Sequence, residues 1–207
     1  MLAHFLRNLT VVLRALRKPK VDWADGKSTL DLRVRLADLD YNLHMNNARY
    51  LDVFELGRVD AIVRNGMLAA AFRHRLFPIV ASVQVRYMAE LKYRDRFTVE
   101  TYIGGWDDRW MWIEQSLVRA RDGKVCARAL FRAQFRTKLG PFPPAQMLRE
   151  CGAVDVPDKL IPPAVENYAL AEGELHRALS AGPAFRAVAP PAKEGAAAAT
   201  ADGDKSD

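Results

Sequence analysis

Four long segments in the middle of the chain constrain its fold more than any other feature, because they have the composition and alternation of β-strands. They comprise residues 79–91, 97–106, 109–120 and 125–138. The last three follow one another through two short connections, Asp107-Asp108 and a loop with Asp122-Gly123, and the second is a strong hairpin signal. Because such strands pair with their sequence neighbours, we expect an antiparallel meander within one long sheet.

One buried helix is expected beside this sheet. Residues 29–37 alternate like a half-buried strand, and residues 47–66 have helical character, with Asn46 or Asn47 as N-cap and Gly66 as a stop. Apolar residues lie on more than one face of this helix, which is typical of a helix surrounded on several sides. The sequence therefore predicts an α+β architecture in which a helix is buried against a long antiparallel sheet.

Composition changes towards both ends of the chain. We divide it into a basic amphipathic N-terminal arm, a body, a proline-rich C-terminal extension and a disordered tail, with the ranges 1–23, 24–138, 139–189 and 190–207. The tail has no aromatic residue and no apolar periodicity. A body of about 115 residues has a modest core, so we expect a homodimer or larger homo-oligomer to stabilise it.

The net charge of +6 is concentrated in the arm. Residues 1–20 hold five basic groups and no acidic one, whereas the rest of the chain is almost balanced. A nucleic-acid-binding domain has its basic face on the domain itself, so we expect no nucleic-acid partner. The arm also has leucines at spacings of three and four. Two interpretations stay open: the arm packs on its own domain or a partner subunit, or it makes peripheral contact with an anionic membrane.

Several classes of protein are excluded by what the sequence lacks. Its 2 cysteines and 4 scattered histidines offer neither a disulfide scaffold nor the spacing of a zinc site. The phosphate-loop, dinucleotide-binding and nucleophile-elbow motifs are absent. No uncharged apolar stretch approaches the roughly 20 residues that span a bilayer. We expect a cytoplasmic protein without a metal or redox cofactor.

The densest polar cluster, residues 38–50, lies where the first strand ends and the buried helix begins. A helix N-terminus presents backbone N–H groups and the positive end of the helix dipole, which stabilise an oxyanion formed when a carbonyl is attacked. Asp40 precedes Asn47 by seven residues, so its carboxylate can approach the same carbonyl as a base or a nucleophile.

The cluster reads D-x-D-x-x-x-H-M-N-N-A-x-Y, which resembles the signature of 4-hydroxybenzoyl-CoA thioesterase-like hot-dog proteins. Residues 105–109 (GWDDR), together with residues 121–123 (RDG) and Cys126, resemble the narrower branch of thioesterase superfamily member six. The resemblance covers about residues 29–138. It implies a hot-dog fold, in which a long antiparallel sheet wraps around a central helix, and hydrolysis of an acyl-CoA thioester to free acid and CoA. Coenzyme A then arrives as part of the substrate.

The resemblance also implies roles for individual residues. Asp40 matches the family's catalytic aspartate, and Asn47 lies where the backbone N–H polarises the thioester carbonyl. Some relatives have His or Tyr at the Asn47 position, whereas the histidine of this chain, His44, lies three residues earlier. The candidate substrate-binding residues are His44, Asn46, Tyr50, Arg86 and Arg94, the two arginines as partners for phosphates of coenzyme A.

Each assignment has a structural alternative. Asp40 can cap a turn, His44 can be a hydrogen-bonding structural residue, and Asn46 can be a helix cap. Tyr50 can belong to the core or to a dimer interface. The alternative function is a non-catalytic acyl-CoA or lipid-binding hot-dog protein at a membrane surface. A hot-dog dehydratase is less compatible, because its N-P-x-H segment is absent, and a structural interaction module is the third alternative.

Overall fold

The computed structural model describes residues 2–22 and 26–180, with side chains from residue 6 onward. The helices are α1 Leu2–Ala15, α2 Asn47–Arg64, α3 Met67–His74, α4 Pro144–Glu150 and α5 Pro163–Ser180. The strands are β1 Ser28–Arg33, β2 Phe77–Tyr87, β3 Arg96–Trp106, β4 Met111–Arg119, β5 Val125–Thr137 and β6 Gly140–Phe142. Of the described residues, those up to 167 belong to one compact unit and residues 168–180 belong to a second. The predicted disordered tail lies outside the described residues.

The strands form one antiparallel sheet in the order β1-β3-β4-β5-β2, and β6 pairs with the end of β5. The predicted meander of β3, β4 and β5 is therefore confirmed. The predicted first strand is too long, because β1 ends at Arg33 and a 3₁₀ turn follows at Leu36–Asp38. That turn closes when the Asp38 carboxylate accepts the backbone N–H of Arg35 at 2.9 Å. This local bond competes with further strand pairing.

Helix α2 lies at the centre of the main core, as predicted. It begins after Asn46, whose Oδ1 accepts the N–H of Ala48 at 2.9 Å, and it ends just before Gly66, which has a φ of 82°. Side chains of the helix and the sheet pack into one buried cluster, among them Val53, Phe54, Leu56, Val99, Leu117 and Phe131. The α+β architecture with a buried helix is therefore confirmed.

Gly57 lets α2 approach the sheet closely. A Cβ at this position would lie 2.6 Å from Val99 Cγ1 and 2.8 Å from Gln115 Nε2. The Gln115 amide donates hydrogen bonds to the Phe54 carbonyl at 2.9 Å and to Thr101 Oγ1 at 2.7 Å. The absence of a side chain at Gly57 therefore permits a buried polar link between helix and sheet.

A second core joins α3 and the start of the proline-rich extension to the far end of the sheet. Its buried members include Met67, Trp106, Met111, Phe135, Met147 and Leu148. Met147 and Leu148 have no exposed surface, so this part of the extension contributes to the core. The sequence did not predict α3, a helix of eight residues without an acidic residue in its first turn.

Helix α1 packs on its own domain, which confirms one of the two interpretations of the arm. Val11 and Ala15 are 3% and 2% exposed, and Val11 belongs to the main core. Two ion pairs hold the helix and the residues after it: Arg7 Nη1 to Asp38 Oδ1 at 3.4 Å, and Lys18 Nζ to Asp60 Oδ1 at 3.0 Å.

Candidate active site

Asp38 fixes the base of the polar loop that precedes α2. It is 4% exposed, its carboxylate contacts Arg35 and Arg7, and its carbonyl accepts the N–H of Asn46 at 2.9 Å. An isolated bridge joins Leu39 to Met45. The loop that carries Asp40 is therefore closed at its ends by backbone bonds and anchored to α1.

Asp40 forms an Asx turn at the tip of this loop. Its Oδ1 accepts the N–H of Asn42 at 2.9 Å, and its own N–H donates to the His44 carbonyl at 2.9 Å. Leu43 adopts a φ of 61°, which the tight turn requires. Asp40 is partly exposed, and no described residue donates a hydrogen bond to its Oδ2. One carboxylate oxygen thus holds the turn while the other is available for chemistry.

Asn47, the first residue of α2, is exposed. Its backbone N–H finds no acceptor among the described residues, as is usual for the first turn of a helix. Its carbonyl accepts the Tyr87 hydroxyl at 3.1 Å. The helix start therefore offers a free N–H beside the Asp40 loop. Tyr87, at the end of β2, holds the helix start in place.

Tyr50 and Tyr87 form an aromatic pair beside the helix start. Their ring centroids lie 5.1 Å apart in an edge-to-face arrangement. Tyr50 is 3% exposed, and burial raises the pKa of its hydroxyl to about 12. Its packing supports the core alternative. Tyr87 was not predicted as a site residue, although the alternation of residues 79–91 placed it with the apolar residues on one side of that strand.

His44 pairs with Glu90 rather than with Asp40. Its Nε2 lies 2.7 Å from Glu90 Oε2, and Glu90 also contacts Lys92 Nζ at 2.8 Å. The hydrogen bond from Lys92, with His44 close by, lowers the pKa of the Glu90 carboxyl. A bridge between His44 and Lys92 joins the loop to the segment after β2. No ion pair or hydrogen bond in the described ranges joins the side chains of Asp40 and His44.

Arg86 and Arg94 are not brought to the Asp40 loop by any described contact. Arg86 is exposed on β2 opposite Arg128 of β5. Arg94 is exposed with a φ of 66°, and its guanidinium lies 5.1 Å from the Tyr93 ring. Their role in binding phosphates stays a prediction.

An apolar cavity of about 390 Å³ lies beside the central part of α2. Its lining residues are Glu55, Arg58, Val59, Ile62, Met67, Pro78, Ile79, Val80, Met111, Ile113, Ala133, Gln134 and Phe135. Arg58 stacks 4.0 Å from the Phe131 ring centre and donates to Gln115 Oε1 at 2.9 Å. Burial lowers its pKa to about 10, so Arg58 is still cationic at neutral pH. Because a helix rises about 1.5 Å per residue, Arg58 lies about 16 Å along the axis from Asn47.

The described residues contain no group of three or more His, Cys, Asp or Glu side chains arranged for a metal ion. Among the helices in those same ranges, none has the length and apolar character to cross a membrane.

The family is decided by the match of residues 34–149, more than half of the chain, to the sequence model of the thioesterase-like superfamily. The chain belongs to the thioesterase-like superfamily. Protein THEM6 of Danio rerio is 33% identical over 129 residues, which cover 62% of this chain and 64% of that protein. The chain thus spans slightly less than two thirds of this relative. The L-carnitine dehydrogenase/betainyl-CoA thioesterase of Agrobacterium fabrum is 32% identical over 114 residues, 50% of this chain and 22% of that protein.

Two solved structures have the same fold. The probable thioesterase YbaW from Escherichia coli aligns with a TM-score of 0.56 at 23% identity, over 60% of this chain and 95% of that one. SAV2348 from Staphylococcus aureus, solved in complex with CoA, aligns with a TM-score of 0.53 at 18% identity, over 65% of this chain and 84% of that one. The predicted hot-dog fold and the resemblance to thioesterase superfamily member six are confirmed.

Proposed function

We propose that this protein is an acyl-CoA thioesterase that hydrolyses an acyl thioester to free acid and CoA. The observation that carries the proposal is that one short segment holds two groups available to a substrate. They are the backbone N–H of Asn47 at the start of α2 and the Asp40 carboxylate, whose Oδ2 has no described partner. Membership of the thioesterase-like superfamily supports it.

In the proposed mechanism, the thioester carbonyl oxygen accepts the N–H of Asn47 at the positive end of α2. The Asp40 carboxylate either removes a proton from the attacking water or attacks the carbonyl carbon itself. In the first route, collapse of the tetrahedral intermediate breaks the C–S bond and gives the free acid, and the CoA thiolate takes up the proton that Asp40 removed from water. In the second route, the same cleavage releases the CoA thiolate and leaves a mixed anhydride on Asp40, which water hydrolyses to the free acid and the regenerated carboxylate. Asn46 and Tyr87 act by holding the helix start, since their bonds fix Ala48 N–H and the Asn47 carbonyl. His44 positions the loop through Glu90. No metal or redox cofactor takes part.

The acyl group is proposed to run along α2 towards the apolar cavity around Val59 and Ile62. The cavity lies beside the same helix as the N–H of Asn47, and its mostly apolar lining suits an aliphatic chain better than a large polar group. The distance of about 16 Å from Asn47 to Arg58 favours a long acyl chain over a short one.

The test compares two aspartates that form the same kind of turn. Asp107 also holds an Asx turn, because its Oδ1 accepts the N–H of Arg109 at 2.8 Å and of Trp110 at 2.6 Å. Both Asp40→Asn and Asp107→Asn keep the acceptor oxygen and lose the charge. We expect Asp40→Asn to lower kcat at least about 10²-fold with little change in KM, and Asp107→Asn to stay near the parent rate. Release of free thiol from a panel of acyl-CoAs measures both, and equal rates for the two variants would contradict the mechanism.

A non-catalytic acyl-CoA or lipid-binding role at a membrane is the second candidate, and the outward face of α1 favours it. Leu6, Leu9 and Leu13 are 43–52% exposed on the side of the helix opposite Val11 and Ala15, and Leu16, just after the helix, is 65% exposed. Amphipathic helices of globular proteins normally bury such a stripe. The neighbouring Arg17 and Lys20 are exposed, and residues 6–20 contain no acidic group. A basic, apolar helix face suits an anionic lipid surface.

Co-sedimentation of the whole chain with phosphatidylcholine vesicles, with and without phosphatidylserine, tests membrane contact. Leu9→Gln/Leu13→Gln should lose binding, whereas the control Leu170→Gln/Leu175→Gln, two exposed leucines of α5, should keep it. Binding should weaken with salt, since charges are screened over about 8 Å at physiological ionic strength. If the first pair of substitutions leaves binding unchanged, the face does not contact lipid.

Homodimer formation through β2 is also proposed. This strand of 11 residues lies at the end of the sheet, and no other strand in the described ranges pairs with its outer edge. Phe77, Ile79, Val80, Val83 and Tyr87 are 36–59% exposed along it. A second copy that pairs there would cover these side chains and extend the sheet. Sedimentation at micromolar concentration should show a dimer or larger species, and a clean monomer would rule this out.

A further inference from the structure

A second concave site, between α1 and the β1–β3 edge of the sheet, is lined by an unusual number of arginines. This cavity of about 600 Å³ is lined by Arg7, Arg14, Arg33, Arg35 and Arg96 and one carboxylate, Asp31. Arg7 is the only one of these arginines with an ion pair inside the described ranges, to Asp38. Asp31 accepts a hydrogen bond from Thr98 Oγ1 at 2.6 Å. The site therefore has a large excess of positive charge.

The arrangement of these arginines is unfavourable without an anion. Arg33 and Arg96 are direct cross-strand partners in the antiparallel register of β1 and β3. Like charges that face each other across strands destabilise a sheet. Burial lowers the pKa of Arg7, and the nearby Arg35 lowers it further, whereas Asp38 acts in the opposite direction. A bound polyanion would turn this repulsion into a set of charge-assisted hydrogen bonds.

The position of the cavity connects it to the Asp40 loop. Arg7 lines the cavity and also contacts Asp38, two residues before Asp40. Arg35 donates its backbone N–H to the Asp38 carboxylate. The cavity therefore borders the base of the Asp40 loop, where the uncharged arm of a ligand with its phosphates in the cavity would pass. Arg86 and Arg94, by contrast, have no described contact with that loop.

We propose that the arginine cavity binds the phosphates of the nucleotide end of coenzyme A while the thioester lies at Asp40 and Asn47. The ligand class is a nucleotide with several phosphate groups, held by guanidinium forks. This assignment rests on the proposed function for the identity of the ligand. The binding of an anion in the arginine cavity does not depend on whether the protein hydrolyses thioesters.

A second cross-strand arginine pair tests the competing assignment, in which Arg86 binds the phosphates of coenzyme A. Arg86 and Arg128 face each other on β2 and β5 in the same manner as Arg33 and Arg96, but they do not line the cavity. Calorimetric titration with CoA would compare the whole chain, Arg33→Gln/Arg96→Gln and Arg86→Gln/Arg128→Gln. We expect the Kd for CoA to rise about tenfold or more in the first variant and to change less than about threefold in the second, because only the first removes charge-assisted bonds.

A second measurement separates binding from folding. Loss of the Arg33–Arg96 repulsion should leave the melting temperature of the unliganded variant equal or higher, while the upward shift that CoA causes becomes smaller. 3′-dephospho-CoA, ADP, inorganic phosphate and pantetheine serve as further probes. Pantetheine should bind equally to the parent and to the Arg33→Gln/Arg96→Gln variant. A larger effect at Arg86 and Arg128, or an unchanged Kd at Arg33 and Arg96, would overturn the proposal.

The outcome also distinguishes this proposal from the thioesterase activity. CoA binding that depends on Arg33 and Arg96, with no hydrolysis of any acyl-CoA, would support the site and reject the enzyme. Hydrolysis with an unchanged KM in Arg33→Gln/Arg96→Gln would support the enzyme and reject the site.

Discussion

Replacement of Asp60 by asparagine should destabilise the protein strongly, because three donors converge on this carboxylate. Asp60 has no exposed surface. Its Oδ1 accepts from Lys18 Nζ at 3.0 Å, and its Oδ2 accepts from Ser28 Oγ at 2.6 Å and Arg64 Nη1 at 3.2 Å. Asparagine has the same shape, but it removes the charge and turns one acceptor into a donor that faces other donors.

The size of the effect follows from the burial of the cluster. Removal of one partner from a buried ion pair costs about 3–5 kcal/mol, since the other charge is left uncompensated. For a domain of this size, 1 kcal/mol corresponds to about 2–4 °C, so we expect the melting temperature to fall by about 6–20 °C. Lys18→Met should cost less, about 1 kcal/mol, because the Lys18 side chain is one-third exposed and Arg64 still neutralises Asp60.

Urea unfolding monitored by circular dichroism measures these costs as a shift in the midpoint at constant slope. Asp108→Asn is the control, because Asp108 is exposed and its carboxylate has no hydrogen bond or ion pair with any described residue. It should change the free energy of unfolding by no more than about 0.5 kcal/mol. A loss below about 1 kcal/mol for Asp60→Asn would refute the inference that this cluster anchors residues after α1 to α2 and β1.

Three further outcomes are expected. Gly57→Ala should lower the free energy of unfolding, measured in urea, by about 1–3 kcal/mol, because the added methyl group meets Val99 and Gln115. An increase in stability, as expected for an ordinary helical glycine, would contradict this close packing. Val80→Trp should fill the apolar cavity and lower kcat/KM for long acyl-CoAs more than for short ones. Val83→Trp, on the same strand but outside the cavity, should change kcat/KM for long and short acyl-CoAs to the same extent. Burial raises the pKa of both thiols, that of Cys151 to about 11, so both should react slowly with Ellman's reagent at neutral pH until denaturant is added; fast labelling of the native protein would contradict their burial.

The central helix and the meander could be predicted from the sequence because their signals are local. The cap at Asn46, the stop at Gly66 and the alternation of residues 125–138 each lie within a few positions of the element that they define. The end of β1 was predicted too late because one hydrogen bond, from Arg35 to Asp38, decides it. Such a local competition is not visible in an alternation pattern.

The candidate site was predictable only in part, because long-range contacts complete it. Asp40 and Asn47 come from a contiguous motif, but Tyr87 reaches Asn47 across 40 residues of sequence. The sequence also did not show that the leucines of α1 face outward. The packed face of α1 uses Val11 and Ala15 together with an ion pair from Arg7 to the distant Asp38, and apolar periodicity ignores such a polar anchor.

The hydrogen bond from Tyr87 to the Asn47 carbonyl has a consequence for cooperativity. Tyr87 belongs to the exposed strand β2, and Asn47 supplies the N–H proposed for the substrate carbonyl. If a second copy pairs along β2, as proposed, it would also set the position of that tyrosine and, through it, of the helix start. Subunit association and ligand binding then share one coupling free energy, which acts equally in both directions. A ligand that tightens the assembly must be bound more tightly by the assembled form than by a single chain.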